Sequence, residues 1–119
     1  MKYLIQLSIP CAWALVLAGC APSPEERLSR AEKAYAAHDY STARIDLVNI
    51  VQSTPENVRA LELLARTYID LSDPVSARAT LERLGKLGKL PKDASVLIGN
   101  VDLMQQHYDA ALAAVSAST

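Results

Sequence analysis

The apolar positions along the chain fall into two regimes. Residues 3–18 hold 13 apolar side chains among 16, interrupted by Gln6, Ser8 and Pro10. At about 1.5 Å per residue a helix of that length spans about 24 Å, short of the ~30 Å hydrocarbon core, so the run reads as the apolar part of a secretory signal. Beyond Cys20 the apolar residues recur every three or four positions, the spacing of one helix face. Caps and breakers divide this part into six helices, expected at 24–37, 40–53, 57–71, 74–88, 93–106 and 108–117. Ser23 is the expected N-cap of the first, with Pro24 as its first helical residue and Glu26 as capping-box partner. Thr54 is expected to cap ahead of Pro55, and Asp73 ahead of Pro74. The other turns are expected at His38-Asp39, Gly88–Pro91 and Gln106-His107.

The helices repeat. Tyr40, Pro74 and Tyr108 stand 34 residues apart, as do Ala31, Ala65 and Gly99, and Leu47, Leu81 and Val115. A helix-turn-helix unit of that period, with a small residue midway along its first helix, a small residue early in its second and a large apolar one a turn later, resembles the tetratricopeptide repeat. The resemblance implies an all-α solenoid of about three repeats, 24–57, 58–91 and a short 92–119. It also implies a groove lined by the first helix of each repeat. In this register the groove candidates are Glu32, Tyr35, Arg59, Glu62, Arg66, Ile69, Val96, Asn100 and Leu103. Arg59, Glu62 and Arg66 share one helix face. They suit either a clamp on a peptide carboxylate or a solvated face in which Glu62 bridges its two neighbours.

Met1-Lys2 gives the apolar run a minimal basic start, and the run ends Leu17-Ala18-Gly19-Cys20. This resembles the bacterial lipoprotein signal. The resemblance implies removal of residues 1–19, acylation of Cys20 with palmitate-type chains, and a tether of only residues 20–23 before the first helix. More than one acyl chain gives stable anchoring. Ala21 in place of Asp implies sorting to the outer membrane of a Gram-negative bacterium, on its periplasmic face. Together with Tyr40–Arg44 and Leu63–Tyr68, these features resemble the N-terminal part of the tetratricopeptide lipoproteins that accompany exopolysaccharide export and PEP-CTERM protein sorting.

Composition narrows the function. Net charge is −1, with 12 Lys and Arg against 13 Asp and Glu, and offers no basic excess for nucleic acid. Both cysteines, Cys11 and Cys20, precede the helical part, so no disulfide framework is expected there. Ser29, Ser76 and Ser95 have no histidine nearby in sequence. His38 and His107 read as turn residues rather than metal ligands. Gly85-Lys86-Leu87-Gly88-Lys89 reads as a basic helix end closed by glycine rather than a phosphate loop. The expectation is therefore a non-enzymatic adaptor with no metal and no cofactor, binding a protein or peptide in the periplasm. A pilotin-like role in secretin or pilus assembly is the alternative. Ala111 and Val115 are expected to pack on Leu97 and Val101. The short last helix leaves Leu103, Met104 and Leu112 with little cover, an open end suited to a partner or to a second copy.

Overall fold

The computed structural model describes residues 19–117. The apolar run 3–18, with Leu17 and Ala18 of the lipoprotein-like signal, lies outside them. Five helices follow in order: α1 Pro24–Ala36, α2 Tyr40–Ser53, α3 Val58–Asp70, α4 Pro74–Lys86 and α5 Ala94–Ala117. Each packs on the next, and α1 also touches α3, which touches α5. Thus α1, α3 and α5 form one layer. α2 and α4 form the other and stand apart across a gap of about 300 Å³ lined by Val48, Gln52, Tyr68, Ser76 and Arg83. The solenoid expected from the repeat is present, and it closes more tightly on the odd-helix side. Among the described residues no helix is long and apolar enough to cross a membrane.

Local chemistry sets the helix ends. Ser23 Oγ accepts from the Glu26 amide and Glu26 returns a carboxylate to the Ser23 amide, the reciprocal cap expected. Asp39 and Asp73 cap α2 and α4 through the amides of Thr42 and Ser76, each at 3.1 Å. Thr54 does not cap α3. It closes α2, its hydroxyl donating to the Ile50 carbonyl, while Asn57 caps α3 through the Ala60 amide. Three helices end on a residue in the left-handed region: His38 at φ 60°, Ser72 at 58° and Gly88 at 66°. In each case the next amide reaches back five residues, Asp39 to Ala34, Asp73 to Tyr68 and Lys89 to Leu84. The glycine stop after the basic end of α4 is therefore present.

The core lies between the layers. Ala31, Ala43, Ala60, Ala65 and Ala77 are fully buried, and their small side chains let adjacent helices approach closely. Leu47, Ile50, Leu61, Leu84 and Val101 fill the remaining volume. The buried hydroxyls of Thr67 and Thr80 donate to carbonyls one turn back, Leu63 and Ser76.

One expected element differs. No turn forms at Gln106-His107, and residues 93–106 and 108–117 do not make separate helices; α5 runs unbroken through both. The register supplies the reason. Gln106 stands 34 residues beyond Ser72, where a left-handed residue ended the helix, and His107 stands where Asp39 and Asp73 capped the next. Glutamine is a good helix former and neither side chain is a preferred N-cap, so nothing stops propagation. In consequence Val115 does not pack on Leu97 and Val101: it is 66% exposed, whereas its equivalents Leu47 and Leu81 are buried, and the expected contact of the Ala111 side chain lies outside what the structure describes.

Candidate functional site

The face presented by α1, α3 and the first half of α5 carries the expected groove residues, and most of its charges are already engaged. Arg59 of α3 reaches Glu32 of α1. Arg66, two turns further along α3, binds both carboxylate oxygens of Asp93 at 2.9 and 2.8 Å, and also meets Glu62 at 3.3 Å. Glu62 therefore bridges to Arg66 alone; Arg59 turns to the preceding repeat instead. The Arg66 contact holds the Asp93 carboxyl below its usual range against a smaller opposing effect of burial, and the same pair raises the Arg66 guanidinium. Asp93 also stands immediately before α5, its backbone carbonyl accepting from Val96 and Leu97.

Tyr35 lies beside this row. Its hydroxyl donates to Asp70 Oδ2 at 2.6 Å, and its ring stands edge-on to Tyr40 at 5.3 Å. Burial, then the bond to Asp70, pushes the phenol up to about 12. The Tyr35–Asp70 bond ties α1 to the far end of α3. Ile69 is half-buried near it, while Asn100, Val96 and Leu103 of α5 are exposed, the last two at 61% and 58%. Glu32, Arg59, Glu62, Leu63 and Arg66 surround a shallow cavity of about 220 Å³. The structure thus gathers the charged groove candidates around that cavity, while Val96, Asn100 and Leu103 follow at helical spacing as an uncharged, exposed row along α5.

The predicted open end divides. Leu103 and Met104 share a cavity of about 490 Å³ with Ser72 and Pro74 at the start of α4 and with His107 and Tyr108. Leu112 lies further along α5, 57% exposed and outside that cavity. A second cavity of about 240 Å³ continues along the α4–α5 seam, lined by Arg78, Leu81, Glu82, Gly85, Leu90, Ile98 and Val101. His38 shares a 2.7 Å hydrogen bond with the Tyr40 hydroxyl and shapes the α1–α2 turn. Among the described residues no three His, Cys, Asp or Glu side chains are grouped to hold a metal ion. Cys20 is exposed, three residues before the cap of α1.

The sequence reading missed the partners that occupy the arginines. Asp93 was expected only as the first residue of the helix 93–106, and Glu32 as a groove residue without a mate. Two further pairs join neighbouring helices: Arg30 with the buried Asp46, and Arg78 with Asp102 and Gln105. The 34-residue period held a signal for the groove pairs, because Glu32 and Arg59 shift by one period onto Arg66 and Asp93.

Residues 34–92 match the family model of the tetratricopeptide repeat. The match begins in the last turn of α1 and runs through α2, α3 and α4 to the loop before α5, and the solenoid is tetratricopeptide-like. No curated protein and no solved structure matches the chain.

Proposed function

We propose that this protein is a non-catalytic scaffold that holds a protein partner against the α3–α5 face while Cys20 fixes it to a membrane by a lipid. The carrying observation is the contrast within that face. Its arginines are satisfied internally by Glu32 and Asp93, whereas Val96 and Leu103 stay exposed beside Asn100. A ligand carboxylate would have to displace an existing two-point ion pair, so a carboxylate clamp is disfavoured. An apolar or weakly polar peptide segment would instead cover exposed side chains at no such cost.

The anchoring half of the proposal rests on Leu17-Ala18-Gly19-Cys20 and on the small distance from Cys20 to α1. A tether of residues 20–23 would keep the solenoid near the lipid headgroups, with the outer membrane's periplasmic face as the proposed site. Within that setting, sequence resemblance favours an adaptor in exopolysaccharide export or PEP-CTERM sorting over a pilotin-like role at a secretin. The two differ in what they hold: an adaptor exchanges partners, while a pilotin stays in one stoichiometric complex.

The test is co-purification from crosslinked cells of the wild-type chain and of Cys20→Ser. A partner recovered in the membrane fraction with wild type, and lost from that fraction with Cys20→Ser, is the expected result. Equal membrane retention of the two chains would reject anchoring through Cys20. Recovery of no envelope protein with either chain would reject the scaffold.

A further inference from the structure

The α4–α5 seam has the form of a site for one more helix. Its counterpart one repeat earlier is closed: Leu64 of α3, covered by α4, is 4% exposed, whereas Ile98, its equivalent on α5, is 37% exposed. Ala31 and Ala65 are fully buried where the two helices of a repeat meet. At the equivalent Gly99 a Cβ would touch nothing within 4 Å. The two cavities along this seam, about 490 and 240 Å³, run from Pro74 and Tyr108 at one end to Gly85 and Leu90 at the other, the path a second helix would take.

The sequence that fits this path is in the chain itself. Residues 108–117 carry the second-helix pattern in register: Tyr108 for Tyr40 and Pro74, Ala111 for Ala43 and Ala77, Val115 for Leu47 and Leu81. The side that would face α4 reads Ala110, Ala113, Ala114 and Ala117, where α4 has Ser76, Ala79, Thr80 and Arg83 lining the gap to α2. From Leu103 to Ala117 the one formal charge is Asp109, which suits an apolar seam. Because α5 is continuous, the segment points away from its own seam along a helix about 36 Å long.

We propose that residues 108–117 of one copy lie in the α4–α5 seam of a second copy, and the second copy returns the same segment. Two antiparallel α5 helices would each supply the first helix of their own third repeat and the second helix of the partner's. Such an exchange closes both seams at once and is self-limiting at a dimer. It places two lipid-ready Cys20 residues in one assembly and covers Leu103 while leaving Val96 and Asn100 of the α3–α5 face open, so it adds to the scaffold reading without depending on it.

Repeat 1 supplies the crosslinking positions. Arg30 and Asp46 are in direct contact between α1 and α2, and their equivalents are Ile98 and Ala114. Within one straight α5 these two lie about 24 Å apart, beyond a short bismaleimide. The full chain in detergent, with Cys11→Ser and Cys20→Ser, is given Ile98→Cys and Ala114→Cys, treated with that reagent and sized under denaturing conditions. A covalent dimer is expected. Restoring turn chemistry with Gln106→Gly and His107→Asp should convert the product to an in-chain link and the native mass to a monomer. Gly99→Leu, made in a position with open space, should keep helix content by circular dichroism and abolish the covalent dimer. An in-chain link without the turn substitutions, a monomeric native mass, or a dimer that survives both variants would overturn the exchange.

Discussion

Arg66 grips both oxygens of Asp93 across the α3–α5 boundary, and one repeat earlier Glu32 and Arg59 pair at the equivalent positions with the charges exchanged and through one carboxylate oxygen. The solenoid thus keeps the pairing of these two positions while inverting its polarity. Arg66 is the better shielded of the two arginines, with 29% of its side chain exposed against 73% for Arg59. Arg66→Ala should therefore lower stability by about 1 kcal/mol, near the upper end for a largely exposed pair, and Arg59→Ala by less. Arg66→Glu should cost more, since it faces Asp93 and Glu62, and Asp93→Arg should recover part of the loss. A double-mutant cycle in urea measures the coupling.

The same pair sets the acid limb. The Asp93 carboxyl is held low by Arg66, and that of Asp39 by its bonds to Thr42. A carboxyl whose folded value is depressed adds stability above its unfolded value, about 4, and loses it as pH falls through the folded one. The thermal midpoint should stay level down to weakly acidic pH and then drop. Asp93→Asn should flatten part of that drop.

At the alkaline end Tyr35 should ionise near the value of about 12 that burial and Asp70 impose. Tyrosinate absorbance should show a step near that value that Tyr35→Phe removes. Asp70→Asn should bring it closer to the ordinary value of about 10.

The left-handed ends offer a stabilising substitution. Ser72 sits at φ 58°, where a side chain costs roughly 1–2 kcal/mol that glycine avoids. After glycine's larger loss of chain entropy, Ser72→Gly should gain about 0.5–1 kcal/mol, visible as a higher urea midpoint. His38→Gly should gain less, because it gives up the 2.7 Å bond to Tyr40.

Ala65 and Gly99 should respond in opposite ways. Ala65 is fully buried, and Ala65→Leu forces extra volume into a packed seam at a cost of about 1–3 kcal/mol. Gly99→Ala meets open space in mid-helix and should stabilise α5 by about 1 kcal/mol. Thermal midpoints of the two variants check both signs.

These contrasts mark where the sequence was informative. Four helices were legible to within about two residues because each end carries strong local chemistry: Ser23-Pro24, Asp39, Asp73-Pro74 and Gly88. Thr54 misled because a hydroxyl before proline signals a helix start, while here it finishes α2 and Asn57 holds the cap. The turn at Gln106-His107 was expected on cap and breaker chemistry that these two residues do not supply. The period carries the anchors Tyr108, Ala111 and Val115 but not the left-handed and capping residues that make a turn. That Glu32, Arg59, Glu62 and Arg66 lie together was readable from the register. Which of their charges were already taken was not, since an arginine facing a partner and one facing an acid in the next repeat have the same local sequence.

Mass spectrometry of the mature N-terminus should find acylated Cys20 and nothing before it, as Leu17-Ala18-Gly19-Cys20 implies. A membrane-bound chain that begins at Met1 would contradict this.

The scaffold reading is tested most directly by photocrosslinking in intact cells, with the probe placed in turn at Asn100 on the α3–α5 face and at Arg44 on the exposed side of α2. The account predicts a discrete protein adduct from Asn100 and none from Arg44. Adducts of equal yield from both positions, or from Arg44 alone, would contradict it.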